Sequence, residues 1–262
     1  MCQQCAMLTD LTGKTVLLTG ASKGIGAATA AVLGAAGAHL VAHYGSDRAG
    51  AEAATAAIPP ERCRLIGADL ADLDAVERLW DAAEAWTGRI DVLVNNAAVM
   101  DFSGGFDAPL DEWDAVWDRA LAVNVKAPAR LMRRAVRHYL ETGGGSIITI
   151  SSWAAQRGVS NPATIAYGAS KAAVRAATQS IARTQAKHGI LAYIVAPGVV
   201  RTRLSEQFAA TQGGEAVVSA GLASGEWVTP DELARLVAFL ASGAVPQLSG
   251  GTIDVNGASY IR

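Results

Sequence analysis

The sequence predicts an α/β protein built on a single doubly wound parallel sheet of about seven strands, with helices on both faces. Short apolar and β-branched runs alternate with longer alanine-rich or amphipathic runs along all 262 residues, which is the pattern of strands joined by crossover helices. No proline-rich or serine-rich linker and no repeat interrupts this alternation. We therefore expect one domain over residues 10–262, preceded by a flexible N-terminal extension over residues 1–9.

The composition fits a large α/β domain and argues against several other classes of protein. Hydrophobic residues make up 51% of the chain and the formal net charge is -2, so a sizeable core is available and no basic patch suggests nucleic acid. No apolar run approaches the length of a membrane span, and the N-terminus lacks a signal-peptide pattern, so we expect a cytoplasmic protein. Cys2, Cys5 and Cys63 are too few for a disulfide framework and lack zinc-site spacing. We interpret them as reduced thiols and expect no metal.

The first half of the chain alternates strand and helix patterns. The expected strands are residues 14–19, 39–43, 62–67 and 91–94, and the expected helices between them are residues 25–36, 47–57 and 72–86. The first helix is rich in alanine, a strong helix former. The second ends at Pro59, because proline lacks the amide hydrogen that a helix needs. Asp72 can cap the third, whose apolar residues fall on one side.

The second half continues the alternation with one irregular insertion. Strands are expected at residues 146–151, 191–195 and 252–255, and helices at residues 111–140, 165–187 and 230–241. Residues 203–227 show little periodicity and contain paired glycines, so we expect a movable lid over the substrate. Alanines recur along the helix at residues 165–187 and would allow close helix packing, which predicts a homo-oligomer, either a dimer or a tetramer.

Three glycines, Gly20, Gly24 and Gly26, lie between the first strand and the first helix. A strand-to-helix turn without Cβ atoms lets backbone amides and the helix N-terminus approach a phosphate group. The spacing Gly-x-x-x-Gly-x-Gly differs from the Gly-x-Gly-x-x-Gly of the common dinucleotide fingerprint, and no P-loop Lys-Ser/Thr follows. The turn therefore predicts a phosphorylated cofactor, with a purely packing role for the glycines as the alternative.

Glycine, proline and polar residues occur where several predicted strands end. They are Gly20, Asp69, Asn95, Ser152 and Pro197. If the crossovers keep their usual right hand, the carboxyl ends of parallel strands line one edge of the sheet. We therefore expect the functional site at that edge.

Tyr167 and Lys171 are four residues apart in a predicted helix, so they share one face. The Lys171 ammonium beside the phenol would favour tyrosinate and lower the pKa of Tyr167 from its usual value of about 10. Tyr167 would then serve as a general acid and base near neutral pH. Ser152, at the end of the fifth strand, can hydrogen-bond the same substrate oxygen as charge develops on it. The alternative is an ordinary exposed helical pair.

Taken in order, these segments resemble the short-chain dehydrogenase/reductase family. The matching segments are residues 19–26 with its cofactor turn, residues 95–98 with its Asn-Asn-Ala-Gly strand end, residues 167–171 with its Tyr-x-x-x-Lys, and Asn124, Ser152 and Pro197-Gly198. The resemblance runs from about residue 10 to the C-terminus. Ala98 stands where glycine is usual, and the segment from Ser152 to Tyr167 is about two residues longer than is common. The longer segment leaves the shape of the substrate side open.

The resemblance implies a Rossmann-type fold and an NAD(P)(H)-dependent oxidoreductase that transfers hydride between the nicotinamide and a carbonyl or secondary alcohol. The implied catalytic residues are Asn124, Ser152, Tyr167 and Lys171. In the family pattern Lys171 also holds the nicotinamide ribose, Asn124 kinks its helix and joins a water-mediated proton relay, and Asp69 binds the adenine amine. The implied cofactor contacts are Gly20, Ser22, Lys23, Gly24, Ile25, Gly26, His43, Tyr44, Ser46, Asp69, Leu70, Asn96, Ala97, Ala98, Tyr167, Lys171, Pro197, Gly198, Val200 and Thr202.

The substrate class is less sharply indicated than the reaction. Within the family, the sequence as a whole, including residues 249–250 and 254–257, most resembles the branch of 3-oxoacyl-thioester reductases and sugar or polyol dehydrogenases. A dinucleotide-binding sensor without turnover is the alternative from another class of protein. The intact Ser152, Tyr167 and Lys171 argue against it.

The end of the second strand predicts a preference for NADP(H), with NAD(H) as the second cofactor. An NAD-specific site places a carboxylate there to bind the ribose hydroxyls and to repel a 2′-phosphate. This sequence has His43 at that position, and the first carboxylate after it is Asp47. Lys23 in the glycine turn, together with Ser46 and Arg48, can offer donors to a 2′-phosphate. The alternative is that His43 merely ends a strand and Lys23 is a solvated turn residue.

Overall fold

The computed structural model describes residues 9–262. Cys2, Cys5 and nearly all of the extension expected over residues 1–9 lie outside the described residues. Cys63 carries a free thiol that is half-buried. Burial raises the pKa of this thiol, which makes it a weak nucleophile at neutral pH.

Within the described residues, seven parallel strands form one sheet with the spatial order β3-β2-β1-β4-β5-β6-β7. The strands are β1 (Thr15–Leu18), β2 (His39–Tyr44), β3 (Cys63–Gly67), β4 (Val92–Asn95), β5 (Gly145–Ile150), β6 (Ile190–Pro197) and β7 (Thr252–Val255). The chain winds outward from β1 in one direction and then from β4 in the other. This confirms the doubly wound sheet predicted from the sequence, and its switch point lies between β1 and β4.

Helices cover both faces of the sheet. They are α1 (Gly24–Ala35), α2 (Arg48–Thr55), α3 (Leu73–Thr87), α4 (Leu110–Leu121), α5 (Ala127–Thr142), α6 (Ala154–Arg157), α7 (Ile165–Gln185), α8 (Arg203–Thr211), α9 (Glu215–Ala220) and α10 (Pro230–Ser242). Local signals set their ends: Asp72 caps α3, the left-handed Gly88 ends it, and Thr229 and Glu232 form a capping box at the start of α10.

The core consists of two apolar layers, one on each face of the sheet. All four residues of β1 are buried. Val16 and Leu18 face the layer that contains Leu33 of α1 and Leu233 of α10. Leu17 faces the layer formed with α3, α5 and α7. This alternation, with both faces apolar, is what a central strand of a covered parallel sheet requires.

The helical region expected over residues 111–140 is present but changes its winding in the middle. A π-helical segment, Ala122–Lys126, separates α4 from α5, and the Ala127 amide bonds the Ala122 carbonyl five residues back. Pro128, at the start of α5, gives the physical reason. Because proline has no amide hydrogen, a carbonyl in the preceding turn loses its helical donor and the regular ladder is interrupted there.

Residues 203–227, expected to be irregular, instead contain α8 and α9. These helices close over a small apolar cluster that includes Val199, Ala209 and Trp227, with Trp153 packed against it. The Trp227 indole also donates a hydrogen bond to Ser219 Oγ at 2.9 Å. The insertion is therefore a structured layer that packs beside the segment following β5.

Candidate active site

The glycine turn between β1 and α1 forms a cradle that excludes side chains. Gly20 and Gly24 have positive φ values of 73° and 56°. A Cβ atom on Gly26 would lie 1.8 Å from the carbonyl oxygen of Gly20, so any larger residue there would force the turn open. The close approach of backbone to phosphate predicted from the sequence fits this geometry.

The N-terminus of α1 is open toward the cradle. Among residues 9–262 no side chain caps this helix: Lys23 occupies the cap position without a side-chain hydrogen bond to the helix, and the first turn holds no acidic residue. By contrast, Asp47 caps α2 and Asp72 caps α3. The first amides of α1 are thus available to an anion, which the helix dipole also favours. The cradle and the open helix end fit the diphosphate of a dinucleotide.

Thr19 and Asn96 join the glycine turn to the end of β4. The Thr19 hydroxyl accepts hydrogen bonds from the amides of Asn96 (3.0 Å) and Ala97 (3.1 Å). The Asn96 side chain donates to the carbonyls of Thr19 (2.8 Å) and Gly20 (3.0 Å). Asn96 therefore acts on the cofactor edge by holding the turn. Sequence reasoning missed the role of Thr19, because only the pairing of β1 with β4 reveals its partners.

The His43 side chain, predicted to contact the cofactor, is turned into the protein. This residue is 2% exposed, and both ring nitrogens face the backbone: Nδ1 accepts from the Gly20 amide at 3.1 Å, and Nε2 lies 3.0 Å from the Ala68 carbonyl. Neither nitrogen remains for a 2′-phosphate. The next residue, Tyr44, turns to the other face of β2, where it is half-buried with its ring beside Gly67.

Asp69 follows β3 and lies exposed at the same edge. Its Oδ1 accepts a hydrogen bond from the Ala71 amide at 2.9 Å, which holds the carboxylate at the end of the strand. Leu70 is buried behind it. Of the two residues expected to contact the adenine, Asp69 is therefore exposed to solvent and Leu70 is packed in the core.

The side chains expected near the ribose phosphate surround the start of α2. Ser22 Oγ donates to the Asp47 carbonyl at 2.7 Å, and Asp47 Oδ1 accepts from the Gly50 amide at 2.9 Å. Lys23 and Ser46 are both exposed. This corner therefore presents an ammonium and a hydroxyl, while the Asp47 carboxylate caps α2.

The end of β6 closes the opposite side of the cleft. The Pro197 carbonyl accepts from the Trp153 amide at 2.9 Å, and a Cβ atom on Gly198 would touch the Trp153 ring at 3.4 Å. Thr202 caps α8 and places its methyl group 3.0 Å from the position of a Cβ on Gly24. The remaining expected contacts are Ile25 and Ala98, both half-buried, and Val200, which is buried.

Tyr167, Lys171 and Ser152 converge beyond the end of β5. Tyr167 and Lys171 lie one turn apart on α7, with Lys171 Nζ 5.7 Å from the centroid of the tyrosine ring. Nζ donates to the carbonyl of Ile150, the last residue of β5, at 2.7 Å. The Ser152 side chain lies close enough to the Tyr167 phenol to lower its pKa, and the Ser152 hydroxyl accepts from the Ala154 amide at 3.1 Å. The helix and the strand end thus bring together a phenol, an ammonium and a hydroxyl.

The pKa lowering predicted for Tyr167 is wrong for the protein without cofactor. Burial raises the pKa of Tyr167 above its ordinary value, although the nearby Ser152 side chain opposes that rise. Burial also lowers the pKa of Lys171 to about 8. Both shifts have one cause, because removal from water penalises the charged form of each group. At neutral pH the phenol therefore holds its proton and most of the ammonium remains charged.

Asn124 lies in the π-helical segment and ties two parts of the site together. Its Oδ1 accepts from the Val99 amide and its Nδ2 donates to the Val99 carbonyl, both at 2.8 Å. Nδ2 also donates to Ser170 Oγ at 3.0 Å, and Ser170 in turn donates to the Tyr167 carbonyl at 2.7 Å. Asn124 therefore fixes the segment after β4 against the helix that carries Tyr167. The intermediary, Ser170, was not predicted, although it lies inside the matched segment of residues 167–171.

The described part of the chain contains neither a metal-binding cluster nor a membrane-spanning helix. Within residues 9–262, no three His, Cys, Asp or Glu side chains are grouped so that they could hold a metal ion. No helix in the same range has the length and apolar character required to cross a membrane.

The open glycine cradle and the Tyr167, Lys171 and Ser152 cluster define a dinucleotide-binding oxidoreductase. The family model described as enoyl-(acyl carrier protein) reductase matches residues 20–258. The chain belongs to the short-chain dehydrogenase/reductase family and is an NAD(P)-dependent enzyme that transfers hydride between a nicotinamide and a carbonyl or alcohol.

Three relatives illustrate the range of similarity within this family. A 3beta-hydroxysteroid dehydrogenase of Eggerthella lenta is 34% identical over 254 residues, 96% of this chain and 95% of the relative. The solved structure of a putative gluconate 5-dehydrogenase from Beutenbergia cavernae with bound NADP has a TM-score of 0.85 at 33% identity, covering 96% of this chain and 98% of that one. A 3-ketoacyl-(acyl-carrier-protein) reductase from Brucella melitensis, complexed with NADH, has a TM-score of 0.84 at 28% identity, covering 95% and 99%.

Proposed function

We propose that this protein is an NADP(H)-preferring carbonyl reductase in which Tyr167 donates the proton and Ser152 binds the reacting oxygen. The observation that carries the proposal is the convergence of the Tyr167 phenol, the Ser152 hydroxyl and the Lys171 ammonium beside the glycine cradle. A proton donor next to a dinucleotide site can protonate the carbonyl oxygen during hydride transfer. A dinucleotide-binding protein without turnover does not need such a donor.

In the proposed mechanism of carbonyl reduction, Tyr167, Ser152 and Lys171 have different roles. A nicotinamide cofactor, when bound, would supply the hydride that the carbonyl carbon receives. Tyr167 gives its phenolic proton to the carbonyl oxygen, which becomes the alcohol hydroxyl, and Ser152 hydrogen-bonds that oxygen while charge develops on it. Lys171 uses one of its three N–H groups on the Ile150 carbonyl, and the others would hold the nicotinamide ribose of a bound cofactor. Its charge also stabilises the phenolate left on Tyr167.

A water-mediated relay would return the proton to Tyr167 after each turnover. The π-helical segment around Asn124 supports this part of the proposal, because Pro128 leaves a carbonyl of that turn without its helical donor. Such a carbonyl accepts readily from water. Asn124 is therefore a positioning residue whose side chain ties the relay segment to the helix of Tyr167.

The preference for NADP(H) rests on the exposed Lys23 and Ser46 beside the start of α2. Asp47, the first carboxylate after His43 in the sequence, caps that helix. Arg48 lies at the same corner but forms an ion pair with Glu52 at 2.8 Å, which reduces what it offers a phosphate. Charge-assisted contacts contribute about 1.5 to 3 kcal/mol each before screening by solvent, so one or two of them give a modest preference. Of the two solved relatives, the Beutenbergia cavernae protein contains NADP and the Brucella melitensis protein contains NADH.

The proposed substrate is a carbonyl compound of the 3-oxoacyl-thioester type, with a sugar or polyol as the second candidate. The Brucella melitensis relative is named for the first chemistry and the Beutenbergia cavernae relative for the second. We also propose a homo-oligomer, because α7 exposes Ala169, Ala173 and Ala176 on one side, where a second helix can approach closely.

A substrate panel with both cofactors tests this function. The panel holds a 3-oxoacyl thioester, a keto sugar and a ketosteroid, each assayed by cofactor absorbance with NADPH and with NADH. We expect turnover with at least one carbonyl and a kcat/KM for NADPH about three to thirty times that for NADH. Lys23→Ala should lower the NADPH value while leaving the NADH value unchanged. No turnover across the panel, or a preference for NADH of about tenfold or more, would contradict the proposal.

A further inference from the structure

His43 links the two ends of the proposed cofactor site through a buried imidazole. Nδ1 accepts a hydrogen bond from the Gly20 amide at 3.1 Å, and Nε2 lies 3.0 Å from the carbonyl of Ala68. Gly20 belongs to the glycine cradle, whereas Ala68 directly precedes Asp69 at the adenine end. The side chain is 2% exposed, so water does not compete for either contact.

The two contacts fix the protonation state and the tautomer of the ring. A nitrogen that accepts from an amide carries no proton, so Nδ1 is unprotonated. A carbonyl is an acceptor only, so the nitrogen that faces Ala68 must be the protonated donor. The ring is therefore the neutral Nε2–H tautomer, and burial, which lowers the pKa of His43, favours the same neutral form.

The backbone of His43 adds a third bond to the same turn. Its carbonyl accepts from the Ala21 amide at 2.8 Å. Two consecutive amides of the turn, those of Gly20 and Ala21, thus point toward β2 and away from the cleft. The left-handed conformation of Gly20, with φ at 73°, allows this inward direction. The amides left to face a phosphate are those that follow, at the open end of α1.

We propose that His43 is a positioning residue that presets the glycine cradle for cofactor binding. The inference rests on the proposed use of that cradle for the diphosphate. Without the imidazole, the Gly20 amide would be buried and unbonded, and the turn would relax to satisfy it. The cofactor would then have to restore the turn on binding, which weakens affinity. Hydride transfer itself, about the Tyr167 end of the site, would be little affected once the cofactor is bound.

Isosteric replacements of His43 separate its two bonds. In His43→Asn the side-chain oxygen takes the place of Nδ1 and can still accept from Gly20. In His43→Leu both bonds are lost while the residue stays apolar and of similar size. His39→Leu is the matched control, because His39 lies on the same strand but packs its ring against Trp86 at 6.0 Å. His43→Gln, which keeps only a group in the position of Nε2, replaces His43→Leu if the latter fails to fold.

The first readout is cofactor affinity, measured by NADPH fluorescence, together with kcat at saturating NADPH. We expect His43→Leu to raise the Kd for NADPH about tenfold or more, with kcat within about threefold of the wild type. His43→Asn and His39→Leu should stay within about threefold in both quantities. Equal affinity of His43→Leu and the wild type would overturn the proposal, as would a loss confined to kcat.

The second readout is independent of cofactor and activity. In the cofactor-free protein, amide hydrogen exchange at Gly20 should be slow in the wild type and in His43→Asn and fast in His43→Leu, and nitrogen NMR should show the Nε2–H tautomer. Fast exchange at Gly20 in the wild type, or the other tautomer, would contradict the role of His43. A wild-type protein with a protected Gly20 amide that binds neither NADPH nor NADH would instead contradict the proposed function and, with it, the use of this turn.

Discussion

Single residues differ in how much of their role the sequence can predict. Tyr167 and Lys171 were predictable, because a spacing of four on a helix places both on one face. His43 was not, because its partners Gly20 and Ala68 lie 23 and 25 residues away. Its position at a strand end suggested a surface contact, whereas the register of β2 turned it inward. The sign of the pKa shift at Tyr167 was also missed, since burial cannot be inferred from spacing.

The two perturbed pKa values at the active site predict opposite pH profiles for the two directions of reaction. Tyr167, with its pKa raised, keeps its proton through neutral pH, so it acts as an acid in reduction and as a base only at higher pH. In the free enzyme, kcat/KM for alcohol oxidation should therefore keep rising with pH above neutrality, because a larger fraction of the phenol is ionised at each higher pH. Carbonyl reduction should fall as pH rises through about 8, because Lys171 loses the charge that stabilises the phenolate.

Initial rates with cofactor as the varied substrate report these free-enzyme values. Lys171→Met is the control: it should lower reduction at every pH and abolish the fall near pH 8. It should also weaken NADPH binding, because Lys171 is proposed to hold the nicotinamide ribose. A descending limb that persists unchanged in Lys171→Met would assign that titration to another group.

Among the larger elements, long periodic segments were predicted well and interruptions were not. The helix carrying Asn124 was expected over residues 111–140, yet Pro128 inside that range was a usable signal for a break, because proline removes a helical donor. The two helices within residues 203–227 were missed for a different reason. They are short, and they are stabilised by packing against Val199, which follows β6, and against Trp227. Local hydrophobic periodicity does not reveal these contacts.

The segment over residues 203–227 retains the features of a lid even though it contains helices. Helix α9 has no buried residue among its six, and its Glu215 reaches back to Arg201 through an ion pair in which both side chains are about half exposed. Such pairs contribute little to stability, so displacing α9 costs little. We expect this layer to open and close around the cofactor and substrate.

Hydrogen exchange with and without ligands tests the lid. Residues 203–222 should exchange more slowly once NADPH and an unreactive substrate analogue are both bound, because closure buries their amides. Helix α3, on the opposite face from α1 and remote from the lid, serves as the internal reference and should not change. Equal exchange of residues 203–222 in the free and the ligand-bound protein would show that this layer does not close.

At the scale of the whole molecule, the fold explains why the catalytic and cofactor groups meet. The winding of the sheet reverses between β1 and β4, and the edge beyond these strands is where a ligand fits between diverging helices. The alternation of strand and helix predicted the single parallel sheet, but the strand order and the pairing of β1 with β4 became visible only in the structure. The Thr19 and Asn96 clamp depends on that pairing.

The central claim is that Tyr167 supplies the proton to a carbonyl that receives hydride from the bound cofactor. Tyr167→Phe tests it most directly, because only the phenolic oxygen is removed. We expect the variant to bind NADPH with a Kd within about threefold of the wild type. Its kcat for carbonyl reduction should fall by a factor of about 10² to 10⁴. With NADPH deuterated at the transferring position, the wild type should give a deuterated alcohol and the variant almost none. A Tyr167→Phe enzyme that reduces the same carbonyl at a near-normal rate would contradict the account.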